Sequence, residues 1–242
     1  MKEVVLITGI GKRLGYALAC DLLNKGFGVI GTYRSVYPAL DKLRDRGADL
    51  YHVDFYQQEN VNQFISQITL AYPSLRAIIH NASDWLPDAS KGDNKEHSHA
   101  EIMHKMMNIH VAIPYQLNLA FQQQLEHCEP GPADIVHISD YVAEKGSKKH
   151  IAYAASKSAM NNLTLSFASL LAPKVKVNSL SPALLKFNEW DDEAYKKKAL
   201  AKALLPIEAG FEEVIDAIHL ILKSNYMTGR NLQLDGGRHI RS

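Results

Sequence analysis

Tyr153 and Lys157 stand four residues apart in Tyr-Ala-Ala-Ser-Lys, a spacing that puts both side chains on one face of a helix. An ammonium beside a phenol favours the phenolate, so the pair predicts a tyrosine of lowered pKa that can donate a proton near neutral pH. Asp140 lies thirteen positions before the tyrosine and adds a carboxylate. Such a Tyr/Lys pair also arises by chance on solvated helices. Its weight comes from the other end of the chain.

There the sequence reads Val4-Val5-Leu6-Ile7-Thr8-Gly9-Ile10-Gly11-Lys12-Arg13-Leu14-Gly15. A β-branched apolar run ending in a glycine-rich turn, with Tyr16-Ala17-Leu18-Ala19 after it, predicts strand, turn and helix. Glycines let a backbone approach a pyrophosphate, and the helix N-terminus offers unpaired N–H groups. The third glycine comes one residue later than in G-x-G-x-x-G, so the spacing is not the usual dinucleotide fingerprint. For the turn alone, a tight connection with no ligand is an equally good reading.

The elements that must position these residues alternate along the chain. Strands are expected over Val4–Ile7, Gly28–Tyr33, 50–53, Ala77–His80, 134–139 and 175–179, and helices over 16–25, 41–46, 61–71, 101–125 and 153–171. Pro114 is expected to kink the long helix at 101–125. The alternation implies right-handed crossovers and a single-domain, Rossmann-type α/β fold spanning 1–242, a doubly wound parallel sheet with helices on both faces. Gly9, Arg34, Asp54, Asn81, Asp140 and Pro182 all fall just past strand ends, where such sheets bind ligands. Two segments break the rhythm: a polar stretch over 84–99, and a charged, partly helical one over 186–199. Long loops of this kind in a compact domain are usually functional or disordered.

Bulk properties narrow the class. With 46% hydrophobic and 22% charged residues, the 242-residue chain has the composition of a globular domain with a sizeable core. A net charge of +1 gives no field that would draw nucleic acid or an anionic membrane. No apolar run approaches the roughly 18 residues of a membrane span. The first strand begins by residue 3 or 4, so no signal peptide is expected. Cys20 and Cys128 lack a C-x-x-C partner, and His97-Ser98-His99 lacks the companions of a zinc site, so neither disulfides nor a metal are expected. A cytoplasmic location follows as the expectation.

Thr8-Gly9 with Gly15, Asn81-Ala82-Ser83, Tyr153-x-x-x-Lys157 and Asp235-Gly236-Gly237 together resemble the short-chain dehydrogenase/reductase superfamily across essentially the whole chain. Gly-Lys-Arg-Leu-Gly at 11–15, Thr32-Tyr33-Arg34-Ser35, Asn81-Ala82-Ser83-Asp84-Trp85 and Asp140 resemble its pterin-reducing, pteridine-reductase-like members. The resemblance implies NADPH-dependent reduction of 7,8-dihydropterins, dihydromonapterin above all and dihydrofolate more weakly, by a homotetramer. A ketone or oxoacyl-carrier reductase, or a non-catalytic NADP-binding regulator, is the alternative.

The second strand ends without the acid that would hold a ribose 2′-hydroxyl. Arg34 and Ser35 there suit a 2′-phosphate, which a guanidinium meets with paired charge-assisted bonds. By resemblance Lys12, Arg13 and Leu14 join Gly9 at the cofactor, with Arg13 directed toward the adenosine phosphate. By resemblance too, Asp54 takes the adenine amino group, Asn81, Ala82 and Ser83 line the ribose side, and Pro182 lies beside the nicotinamide. Ala183 stands where the family usually has glycine. Lys157 would hold the nicotinamide ribose and Tyr153 would transfer the proton. Asp140 replaces the family's usual serine, which Ser139 next door would not rescue. His110 stands at the usual asparagine. A carboxylate cannot donate to a developing alkoxide but can serve a basic imine nitrogen. Trp85 would stack on the pterin. Phe187 and Tyr37 are expected at the substrate pocket on loop position alone, and a segment over about 184–205 is expected to cover the substrate.

Overall fold

The computed structural model describes residues 2–88 and 97–241. Seven parallel strands form one sheet in the order β3-β2-β1-β4-β5-β6-β7. They are β1 Val4–Ile7, β2 Gly28–Tyr33, β3 Asp49–His52, β4 Ala77–His80, β5 Ala133–Ile138, β6 Val175–Pro182 and β7 Asn231–Leu234. Because β2 and β4 pair with opposite sides of β1, the loops leaving β1 and β4 diverge. A crevice opens at the carboxyl ends there.

Side-chain alternation along each strand divides the core between two faces. Val5 and Ile7 pack with Leu14, Leu18 and Leu22 of α1 (Arg13–Asn24) and with Ile218 and Ile221 of α10 (Glu212–Lys223). Leu6 and Ile78 face the other way, toward Phe64 and Ile68 of α3 (Gln58–Ala71) and Phe167 and Leu171 of α8 (Ile151–Leu171). On α8 the buried positions Tyr153, Lys157, Met160, Thr164, Phe167 and Leu171 recur every three or four residues. The helix face that packs on the sheet is thus the face that carries the Tyr/Lys pair.

The single-domain doubly wound sheet is as expected, with three departures. β6 runs on to Pro182, three residues past its expected end. β7 and α10 form in a region where no element was expected. The 101–125 helix is broken into α4 (His99–Met107), a π-helical turn (Asn108–Ala112), α5 (Ile113–Ala120) and α6 (Gln122–Glu126). The break precedes Pro114 rather than falling on it. Proline has no N–H for the carbonyl of residue 110 and its ring crowds that carbonyl, so the helix widens just before it. Ile113 N–H reaches back five residues to Asn108 O. Ser98 and Glu101 close α4 with a capping box. In the remaining helices, α2 spans Ala39–Asp45, α7 Val142–Lys145 and α9 Glu193–Leu200. The last gives the charged segment the helical part expected of it, capped by the Asp192 side chain. Of the polar stretch over 84–99, residues 89–96 lie outside the described residues.

Candidate active site

A cavity of about 550 Å³ occupies the crevice, running from the turn after β1 to the ends of β5 and β6. Its floor at one end is the glycine turn. Gly9 has φ +74°, and a Cβ there would come within 2.8 Å of Ala82 Cα. At Gly15 a Cβ would lie 2.2 Å from Gly9 O, so only glycine lets α1 start this close to β1. Lys12, at the N-cap, supplies no side-chain cap. The first N–H groups of α1 therefore lack a capping oxygen, with the positive end of the helix turned to the cavity. Asn81 works as a buttress here. Its Nδ2 donates to Thr8 O (3.1 Å) and Gly9 O (2.9 Å), while Thr8 Oγ1 accepts from the Asn81 and Ala82 N–H groups.

Arg34 and Ser35 line the same end. The Arg34 guanidinium forms two bonds to Asp84, at 2.9 and 3.2 Å, and Tyr56 Oη donates to the same carboxylate at 2.7 Å. The Asp84 carboxylate holds the Arg34 pKa above its ordinary value. Burial, then the Asp84 hydrogen bond, pushes the Tyr56 phenol up. Arg13, expected beside the adenosine phosphate, lines the cavity and donates to Asn188 Oδ1 (2.9 Å) and Lys186 O (2.6 Å). It ties the turn to the 184–205 segment, with φ +52°, a left-handed conformation uncommon outside glycine. Lys12 and Leu14 also line the cavity. Asp54 does not: its carboxylate accepts from Tyr56 N–H in a local turn (3.1 Å), while Val53, Phe55 and Tyr56 around it face the cavity.

At the other end lie Asp140, Tyr153 and Lys157. Tyr153 Oη donates to Asp140 Oδ2 at 2.9 Å, and Val142 N–H donates to Asp140 Oδ1 at 3.0 Å. Lys157 Nζ donates to Ile138 O at 2.7 Å and is 2% exposed. Burial, and then the Asp140 charge, raises the Tyr153 pKa well above that of a free phenol. This corrects the lowered value expected from the Tyr/Lys spacing. The ammonium sits 5.7 Å from the ring centroid, whereas the carboxylate holds the hydroxyl directly. Burial raises Asp140, and burial lowers Lys157 to about 8. The Ser139 hydroxyl is directed to Lys157 O at 3.4 Å and does not replace the missing serine.

His110, carried inward by the π-helical turn, is fully buried, with its ring edge-on to Tyr153. Its two nitrogens lie 2.8 Å from Ser156 Oγ and 2.7 Å from Ser83 Oγ. Ser156 donates its one proton to Tyr153 O (2.8 Å), so it accepts from His110 Nδ1–H. His110 Nε2 is then bare and accepts from Ser83. Burial, then Lys157, keeps the imidazole neutral. The bond from Ser156 to Tyr153 O thus favours the tautomer with the proton on Nδ1.

Trp85 borders the cavity, stacked on His150 with ring centroids 4.0 Å apart and still 63% exposed. Pro182, Ala183, Leu184, Leu185 and Phe211 close the opposite side. Phe187 points away, edge-on to Tyr195. Tyr37 packs under Gly11 with Lys12 over its ring, at the glycine turn rather than at the substrate end. Sequence reading missed Tyr56, Phe211, the pairing of Asp84 with Arg34, and the bonds of His110 to Ser83 and Ser156. These contacts join residues distant in sequence, and no local pattern announces them.

A dinucleotide-sized crevice at a Rossmann switch point, with a Tyr/Lys pair at its inner end, defines an oxidoreductase-type site. The short chain dehydrogenase family model matches residues 3–198, and the chain belongs to that family. It is 46% identical over 237 residues to dihydromonapterin reductases of Klebsiella pneumoniae and Escherichia coli K12, covering 98% of this chain and 97% of each relative. The fold is shared with FolM alternative dihydrofolate reductase 1 from Brucella canis complexed with NADP. That match has a TM-score of 0.85 and 22% identity, and covers 99% of this chain and 95% of the other.

The Lys157 environment generates a pH prediction. An unfolded lysine titrates near ~10.4, and the folded one near about 8. Between those values the unfolded chain binds more protons, so the stability contributed by this group rises with pH across that window. Below it the burial penalty is fully present. Denaturant midpoints from pH 7 to 10.5 should show this rise in the unmodified protein relative to Lys157→Met. Parallel curves would mean that Lys157 titrates as in water.

Proposed function

We propose that the chain is an NADPH-dependent reductase of 7,8-dihydropterins, acting best on dihydromonapterin and more weakly on dihydrofolate. The observation that carries this reading is Asp140, a buried carboxylate bonded to Tyr153 where a carbonyl reductase needs a neutral hydroxyl donor. The names of the relatives at 46% identity support the substrate class.

The site fits the cofactor on its own chemistry. The glycine cradle and the uncapped α1 N-terminus suit a pyrophosphate, and Arg34 with Ser35 suits the 2′-phosphate. NADPH held there would supply a hydride for C6 of the pterin. Lys157 holds a positive charge at the inner end, where ribose hydroxyls can accept from it. Asp140 stabilises positive charge developing as N5 is protonated, and Tyr153, or a water held by Asp140, delivers that proton. Trp85 offers an indole face to a flat heterocycle, worth about 0.5–1.5 kcal/mol beyond burial.

We further propose a cytoplasmic homotetramer. Leu165 and Leu170 on α8, with Tyr115 and Leu119 on α5, leave a large apolar surface exposed on one chain. Light scattering that finds only a 27.0 kDa species at micromolar concentration would exclude assembly.

Asp140→Ser should lose dihydromonapterin turnover on the order of 10²- to 10⁴-fold while NADPH affinity stays nearly constant. Lys157→Ala should damage both. Full activity in Asp140→Ser, or a preference of the unmodified enzyme for ketones, would overturn the pterin mechanism. NADPH should be preferred to NADH at least tenfold, ~1.4 kcal/mol, and Arg34→Ala should remove most of that preference. Equal KM values for the two cofactors in the unmodified protein would refute the 2′-phosphate assignment.

A further inference from the structure

A second cleft has a volume of about 840 Å³. Tyr141, the residue after Asp140, forms part of its wall. The other walls come from the loop between α7 and α8, from residues 201–202 after α9, and from the C-terminal run. Its charged lining residues are all cationic: Lys145, Lys148, Lys202, Arg238 and Arg241.

Arg238 shows that this is more than a basic surface. It is 8% exposed, its guanidinium lies 5.3 Å from the Tyr141 ring centroid, and Nη2 donates to Ala199 O at 3.1 Å. Among the described residues no carboxylate lies within ion-pair distance of it, although every other arginine or lysine as buried has one or serves the reaction cavity. Withdrawing a guanidinium from water without a counter-ion is costly. Carbonyl contacts orient the group but leave its charge uncancelled. Arg241 donates to Ala203 O (2.5 Å) and Lys145 to Arg238 O (3.3 Å), so these cations too are held by backbone oxygens. Burial, then Arg238, Lys198 and Lys149, pushes the Lys202 pKa down. The cluster as it stands repels itself, and an anion would relieve it.

The cleft is also joined to the chemistry. Arg238 is close enough to stabilise the Asp140 carboxylate electrostatically, and the ring it covers, Tyr141, is the next residue along the chain from Asp140. A substituent that leaves a pterin seated against Asp140 and reaches past Tyr141 would meet the basic cleft.

Resting on the dihydropterin reading above, we propose that this cleft receives the glutamyl carboxylates of a folate-type substrate, with Arg238 as its buried anchor and Lys148 and Lys202 at its rim. It would be what gives dihydrofolate its affinity. The neutral, hydroxylated side chain of dihydromonapterin would make no use of it. Arg238 has N–H groups left for paired bonds to a carboxylate, and the two lysines add point charges for a second carboxylate.

The test is steady-state kinetics with NADPH on dihydromonapterin, dihydrofolate and dihydrofolate triglutamate, using the full chain and a Lys148→Ala/Lys202→Ala variant. Neither lysine side chain makes a hydrogen bond among the described residues, so the fold should persist. KM for dihydrofolate should rise on the order of tenfold, as expected for lost charge-assisted contacts at a partly exposed site. It should rise further for the triglutamate, with kcat and the dihydromonapterin KM unchanged. Lys148→Arg/Lys202→Arg should restore it. If dihydromonapterin is reduced but the variant leaves the dihydrofolate KM unchanged, or raises all three KM values alike, the tail assignment is wrong and the dihydropterin reading stands. If the unmodified enzyme reduces no dihydropterin, the functional reading falls and takes the cleft assignment with it.

Discussion

The rest of the site is arranged around one buried charge. Lys157 is 2% exposed, and among the described residues no carboxylate is bonded to it and Nζ makes one hydrogen bond, to Ile138 O. Burial alone would push such an ammonium to lose its proton. It is lowered only to about 8 because Asp140, two residues beyond that carbonyl, opposes the shift. The carboxylate is in turn buried and raised, and the Tyr153 hydroxyl and Val142 N–H hold it in place. Positive and negative charge thus share one dry corner. Exchanging Asp140 for a neutral residue would lower the Lys157 pKa further while leaving its N–H groups free to donate, so this position tunes the charge of the site as well as its chemistry.

Distance along the cavity separates this corner from the anion-binding end. There the backbone does much of the work: glycines permit the close approach, and Thr8 and Asn81 lock the turn. The two arginines of that end are already engaged. Arg34 is held by Asp84 and Arg13 by the covering segment. In the proposed cofactor site a 2′-phosphate would have to displace or share that carboxylate, at a cost in affinity. Arg13 links the turn to Lys186 and Asn188, in the segment that continues from the opposite side of the cavity.

The parts legible in the sequence were those with local signatures. The glycine turn, the strand ends before Arg34, Asn81 and Asp140, and the Tyr/Lys face of α8 can each be read from a window of a dozen residues. β7 was not legible, since Asn-Leu-Gln-Leu is a four-residue edge strand that gains its pairing only from the exposed side of β6. The π-helical turn was read as a proline kink, because Pro114 marks a break without saying on which side it relaxes. The direction of the Tyr153 shift was read backwards, because spacing reports the nearness of Lys157 but not the depth of burial. Arg34 and Asp84, fifty residues apart, meet only through the tertiary fold.

The raised tyrosine also bears on how a proton could leave the proposed site. Tyr153 carries one hydroxyl proton, and in the ligand-free arrangement Asp140 accepts it. The same proton cannot be shared fully with a pterin nitrogen while that bond persists. If Asp140 takes up a proton, the bond reverses: the acid donates to the phenol oxygen and frees the phenol O–H for the cavity. Burial raises Asp140 toward that state, while Lys157 and Arg238 resist it. A carboxylate glutamyl tail beside Arg238 would screen one of those two cations and ease protonation. On this reasoning the basic cleft and the Asp140 carboxylate are electrostatically linked through Arg238.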